Sequence, residues 1–64
     1  MDYNAYLRRK YRGKYAIGHR RHVVIPMRQV GGRWMCRPFY AFKDAKAWAV
    51  WNYKGNDLWR VIRL

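Results

Sequence analysis

Gly31 and Gly32 stand side by side between two apolar runs, HVVIPMRQ at residues 22–29 and WMCRPFYAF at residues 34–42. Extended, β-prone segments flanking two glycines predict an antiparallel hairpin with a two-residue loop. A loop that short sets the pairing: Gln29 opposite Trp34, Met27 opposite Cys36, Ile25 opposite Pro38 and Val23 opposite Tyr40. This register gathers most of the bulky apolar side chains on one face. His22, Arg28 and Arg37 fall on the other face, with Arg33 at the turn. Pro26 and Pro38 each remove a ladder donor, which suggests edge positions or bulges and leaves the register beyond Cys36 open.

The flanking segments change period. In YLRRKYRGKY, residues 6–15, a helical spacing collects Tyr3, Leu7, Tyr11 and Tyr15 on one arc and places Arg8, Arg9 and Arg12 on the opposite one. Asp2 suits the N-cap, and Gly13 weakens the helix before Tyr15. The competing reading is a flexible basic arm whose tyrosines stack on bases or lipid. KDAKAWAVWNYKG, residues 43–55, predicts a second, alanine-rich helix stopped by Gly55, with Trp48 and Trp51 turned toward the hairpin. Behind Asn56 and Asp57, the run LWRVIRL predicts a third strand, with Trp59 and Val61 inward and Arg60 outward. The expected fold is therefore α+β: one domain over residues 1–64, a small two-layer sandwich of helix, hairpin, crossing helix and C-terminal strand.

Sixty-four residues leave no room for a second core, because so short a chain buries only about 60% of its unfolded surface. Fifteen Lys and Arg against three aspartates give a net charge of +12. Such a charge repels itself and calls for an anionic counterpart: nucleic acid, an acidic protein surface or an anionic membrane. Cys36 is the single cysteine, so an intrachain disulfide is excluded. The apolar runs fall short of the ~20 residues of a spanning helix, and no signal-peptide pattern follows the basic N-terminus. The chain reads as soluble and cytoplasmic, without a membrane span.

Catalytic chemistry finds little material. Three scattered aspartates do not suggest a carboxylate pair. Cys36 reads as a packed strand residue rather than a nucleophile served by His19 or His22. Those three residues fall short of a structural zinc set, and the glycine pair is hairpin chemistry rather than a phosphate cradle. The expectation is a non-enzymatic protein with no cofactor and no metal. What remains is a basic surface built from Arg8, Arg9 and Arg12 on the first helix and Arg28, Arg33, Arg37 and Arg60 on the sheet. Arginine suits forked contacts to phosphate or carboxylate.

RPFYAF, DAKAWAVWNY and LWRVIR together resemble the strand, helix and final strand of the short host RNA polymerase inhibitors of T7-like bacteriophages. Phe39, Tyr40 and Ala41 match that family's strand end, and Trp51 and Tyr53 its helix end. The three stretches make up about a third of the chain, by count of its residues. It implies a phage protein of host takeover that docks on the jaw of bacterial RNA polymerase in the host cytoplasm and blocks promoter engagement. Of the two family arginines on the last strand, the first falls at Arg60; the second falls at Ile62, with Arg63 one step further. The leading expectation is accordingly a transcription inhibitor that binds RNA polymerase or another nucleic-acid-processing protein. Direct DNA or RNA binding by the same surface is the alternative, and membrane-surface association through the first helix a third.

Overall fold

A computed structural model describes residues 2–55 and 57–64. The elements run α1 Tyr3–Lys10, β1 Tyr15–His19, β2 His22–Val24, β3 Met27–Val30, β4 Arg33–Cys36, α2 Phe42–Asn52 and β5 Trp59–Arg63. The fold is α+β, with an antiparallel sheet in the order β2-β1-β5 and a separate hairpin β3-β4. Asn56, expected at the turn before β5, lies outside the described residues.

The Asp2 side chain caps α1 by accepting the Asn4 N–H at 3.0 Å. Arg8, Arg9 and Lys10 fill the last turn, where cations complement the negative end of the helix dipole. The helix stops at Lys10 and Gly13 reverses the chain at φ 85°, so the arc expected to run on to Tyr15 is broken. Leu7 is buried and Tyr11 half-buried, but Tyr15 belongs to β1, and Tyr3 is 65% exposed and stacked on Tyr6.

The strand that organises the fold, β1, has no distinct signal in the sequence. Ala16 and Gly18 are poor strand formers, and pairing on both sides makes them extended. On one side β1 takes β5, Tyr15 opposite Arg63 through His19 opposite Trp59; on the other it takes β2, Ile17 opposite Val24 and His19 opposite His22. Pro26 would be the next partner of Tyr15 in that register, and it has no N–H to donate. Phe39 takes its place, exchanging both backbone hydrogen bonds with Tyr15 at 2.8 Å. Residues 27–36 are thus an excursion between two buried prolines, Pro26 and Pro38.

This substitution corrects part of the expected hairpin. Gln29 does face Trp34 and Met27 does face Cys36, across Gly31 and Gly32 at φ 59° and 82°. The outer pairs do not form: Val23 faces Gly18, and β2 joins the other sheet. A Cβ at Gly18 would lie 3.1 Å from Ile62 Cγ2 and 3.3 Å from Arg60 Cγ, so those side chains would have to give by a few tenths of an ångström to admit one.

Neighbouring residues of β1 point to opposite faces, and each face carries one hydrophobic cluster of the single domain. Ile17 packs with Phe39, Ala45 and Ala49, with Tyr15, Val24, Trp48, Tyr53, Trp59 and Val61 around them. Ala16 packs with Leu7 and Val23, bordered by Tyr11, Ile25, Ile62 and Leu64. The second helix therefore lies on β1 and β5, not on the hairpin, and it seats Ala45 and Ala49 rather than its tryptophans. Trp48 is half-buried, at 6.1 Å from the Phe39 ring and 5.6 Å from that of Tyr53. Trp51, expected to bury, is 85% exposed.

One polar side chain ties α1 to the sheet edge. Asn4 Nδ2 donates to the Arg21 carbonyl at 3.1 Å, and its Oδ1 accepts the Val23 N–H at 3.0 Å. These bonds satisfy a carbonyl of the β1–β2 turn and the outward N–H of Val23 on the edge strand β2.

Three substitutions separate these roles. Ile17→Ala should cost about 2–5 kcal/mol, comparable with the whole stability of a small domain. Asn4→Ala should cost about 1–3 kcal/mol by stranding the Val23 N–H. Trp51→Ala should stay within about 0.5 kcal/mol. Urea unfolding followed by circular dichroism measures all three, and a large loss at Trp51 would contradict this packing.

Candidate functional site

The arginines expected to form one docking surface are distributed over separate units. Arg8 and Arg9 lie on α1 and Arg12 just beyond it, all exposed. Arg60 is exposed in the middle of β5, on the sheet face shared with Ala16 and Ile62, and its side chain runs across Gly18. Arg28, Arg33 and Arg37 belong to the hairpin segment, which is a different sheet. The expected single sheet face carrying Arg28, Arg37 and Arg60 does not exist.

Arg28 also departs from its expected outward position. It is half-buried, with its guanidinium carbon 4.0 Å from the Phe39 ring centroid. Its Nη2 donates to the carbonyls of Pro38, at 2.8 Å, and Arg37, at 3.3 Å, while its Nε is buried without a hydrogen-bond partner. Among the described elements no other helix or strand comes within 8 Å of the hairpin between Cα atoms. Arg28 is therefore a brace that ties β3 to the segment following β4, by two hydrogen bonds from one nitrogen and by a planar stack on Phe39 that lysine could not reproduce. Arg33 at the tip and Arg37 after β4 remain exposed.

Turning Arg28 inward leaves the face predicted to be buried in contact with solvent. Met27 is 57% exposed, Trp34 69%, and Cys36 is exposed as well, its Sγ 4.0 Å from Met27 Sδ. Cys36 is thus not the packed strand residue the pattern suggested. Met27, Gln29 and Trp34 from the hairpin and Asp44, Ala47, Trp48, Trp51 and Asn52 from α2 border a groove of about 610 Å³, with the buried Phe39 at its base. Tyr40, 68% exposed, lines this groove and also a second depression of about 480 Å³ that includes Lys10, Lys14 and Arg37. Lys14 Nζ sits 5.4 Å from the Tyr40 ring centroid.

The aspartates do little to neutralise these cations. Asp2 caps α1 and Asp44 lies in the first turn of α2, both positions where an acid answers a helix dipole. Lys10, 5.6 Å from the Tyr6 ring centroid and 5.3 Å from that of Tyr11, has its pKa raised above the ordinary lysine value, first by hydrogen bonding to Tyr6 and then by Tyr11. It stays charged across the neutral range.

Sequence reasoning missed Lys10, Lys14 and the exposed rings of Trp34, Tyr40 and Trp51. Large aromatic residues in strand and helix patterns signal burial, and only the tertiary arrangement shows which are left outside. It also passed over Arg20 and Arg21, which form the β1–β2 turn, with Arg20 at φ 57° and its N–H donating to the Leu58 carbonyl at 3.1 Å. Among the described residues no three His, Cys, Asp or Glu side chains are grouped to hold a metal ion, and no helix is long and apolar enough to cross a membrane. No family model, curated protein or solved structure matches the chain.

Arg28→Ser should release the hairpin while sparing the three-stranded sheet. Hydrogen exchange should quicken at the amides of residues 27–36 with little change in β1, and Arg28→Lys should not restore protection. Unchanged exchange in the serine variant would contradict the bracing role.

Proposed function

We propose that the protein is a non-enzymatic binding protein that engages nucleic acid directly. The observation that carries this reading is the exposure of large rings on a strongly basic chain: Trp34, Tyr40 and Trp51 are all more than two-thirds exposed on a chain of net charge +12, and the Lys14 ammonium lies 5.4 Å from the Tyr40 ring centroid. Cations alone serve any anion. Rings left in water add a flat apolar surface that a base can stack on and that an acidic peptide uses less well.

A second reading rests on Arg60. It is exposed on the final strand, where the resemblance to phage inhibitors of bacterial RNA polymerase puts a contact arginine, and on that reading it meets an acidic surface of the enzyme in the infected cell. Ile62, where the second arginine would fall, instead lines the core on the α1 side, which weakens that contact and favours nucleic acid as the partner.

Fluorescence anisotropy with labelled single-stranded and duplex oligonucleotides tests the first reading. Binding should weaken with salt, with log K falling by about 4–5 per tenfold increase if about six phosphates are neutralised. Capture of RNA polymerase from a nuclease-treated bacterial lysate, lost in Arg60→Ser, together with no salt-sensitive binding to either oligonucleotide, would replace it with the second.

A further inference from the structure

The basic surface as a whole does not say where on the molecule a strand would lie. Two adjoining depressions do. One is lined by cations, Lys10, Lys14 and Arg37, and the other by rings, Trp34, Trp48 and Trp51. Tyr40 borders both, with the Lys14 ammonium at cation–π distance from its ring. We propose that the two depressions form one track for single-stranded nucleic acid, with phosphates held at Lys10, Lys14 and Arg37 and bases stacked on Tyr40, Trp34 and Trp51.

Three physical arguments support this occupant. The cations line one depression and the rings the other, and Tyr40 borders both, so a ligand that carries phosphates and bases on one chain can use the two together. The rings come from different units, Trp34 from the hairpin and Trp51 from α2, and both border the same groove of about 610 Å³. Duplex DNA hides its base faces in the stack, so it can use the cations and not the rings, whereas a single strand uses both. Gln29 and Asn52 at the groove border add polar groups for base edges, although Asn52 Nδ2 already donates to the Trp48 carbonyl at 2.8 Å.

The site differs from the arginine surface expected from sequence. Of those seven arginines only Arg37 lies in the cationic depression. Arg28 also borders the groove, but it is committed to the Pro38 and Arg37 carbonyls.

The inference rests on the nucleic-acid reading, and the experiment distinguishes the two. Anisotropy is measured for wild type, for Trp34→Ala/Trp51→Ala and for Lys14→Ser/Arg37→Ser, with a labelled oligothymidylate and a labelled duplex, and circular dichroism confirms the fold of each variant. The double tryptophan variant should lose about 5- to 160-fold in affinity for the single strand per ring removed, with duplex binding nearly unchanged. Lys14→Ser/Arg37→Ser should flatten the salt dependence of single-strand binding. Wild-type single-strand affinity in the tryptophan variant would overturn the track while leaving nucleic-acid binding in place. Failure of the wild type to bind either oligonucleotide would overturn both. Displacement of the single strand by polyglutamate as effectively as by oligothymidylate, unaffected by removal of the rings, would assign the depressions to an acidic protein and overturn the track as well.

Discussion

The structure depends on the pairing of β1 along both its edges. Ile17 and Ala16 are fully buried because β2, Phe39 and β5 close in from the sides while α2 and α1 cover the two faces. A small domain has few residues to spend on a core, and here one five-residue strand supplies both of its clusters. At Gly18 the side chains of Arg60 and Ile62 pack closely over the strand, where an added Cβ would meet them at 3.1–3.3 Å.

Two prolines and one arginine decide what becomes of the rest. Pro26 ends the β2 ladder where a third exchange with β1 was due, Phe39 completes it, and the intervening residues are set off as a hairpin. Arg28 then holds that hairpin against the chain beyond β4 by stacking on Phe39 and donating to two carbonyls. An arginine used in this way is structural, and its displacement from the surface leaves Met27 and Trp34 facing solvent. The groove beside α2 is a consequence of the brace: the hairpin stands off instead of closing over the helix.

The same geometry shapes the functional argument. Charge without rings describes a generic polycation, and rings without charge describe a sticky surface; their adjacency at Tyr40 narrows the partner to something that is both anionic and flat. Asp2 and Asp44 serve helix N-termini rather than the arginines, so the positive field is left for a partner.

Much of the fold was legible in sequence. The glycine pair determined the β3-β4 register, because two positive-φ residues admit one tight loop, and Asp2, the alanine-rich segment and the final β-branched run located α1, α2 and β5 through local capping and periodicity. The charge, too, is a property of composition alone. Tertiary structure decided the remainder. Tyr15–His19 became the central strand because two partners bracket it, not because its residues prefer to be extended. Arg28 turned inward because Phe39 and two carbonyls lie within its reach. Trp34 and Trp51 stayed outside because α2 found its seat on β1 through Ala45 and Ala49. Each of these outcomes depends on residues distant in the chain, and a local pattern holds no record of them.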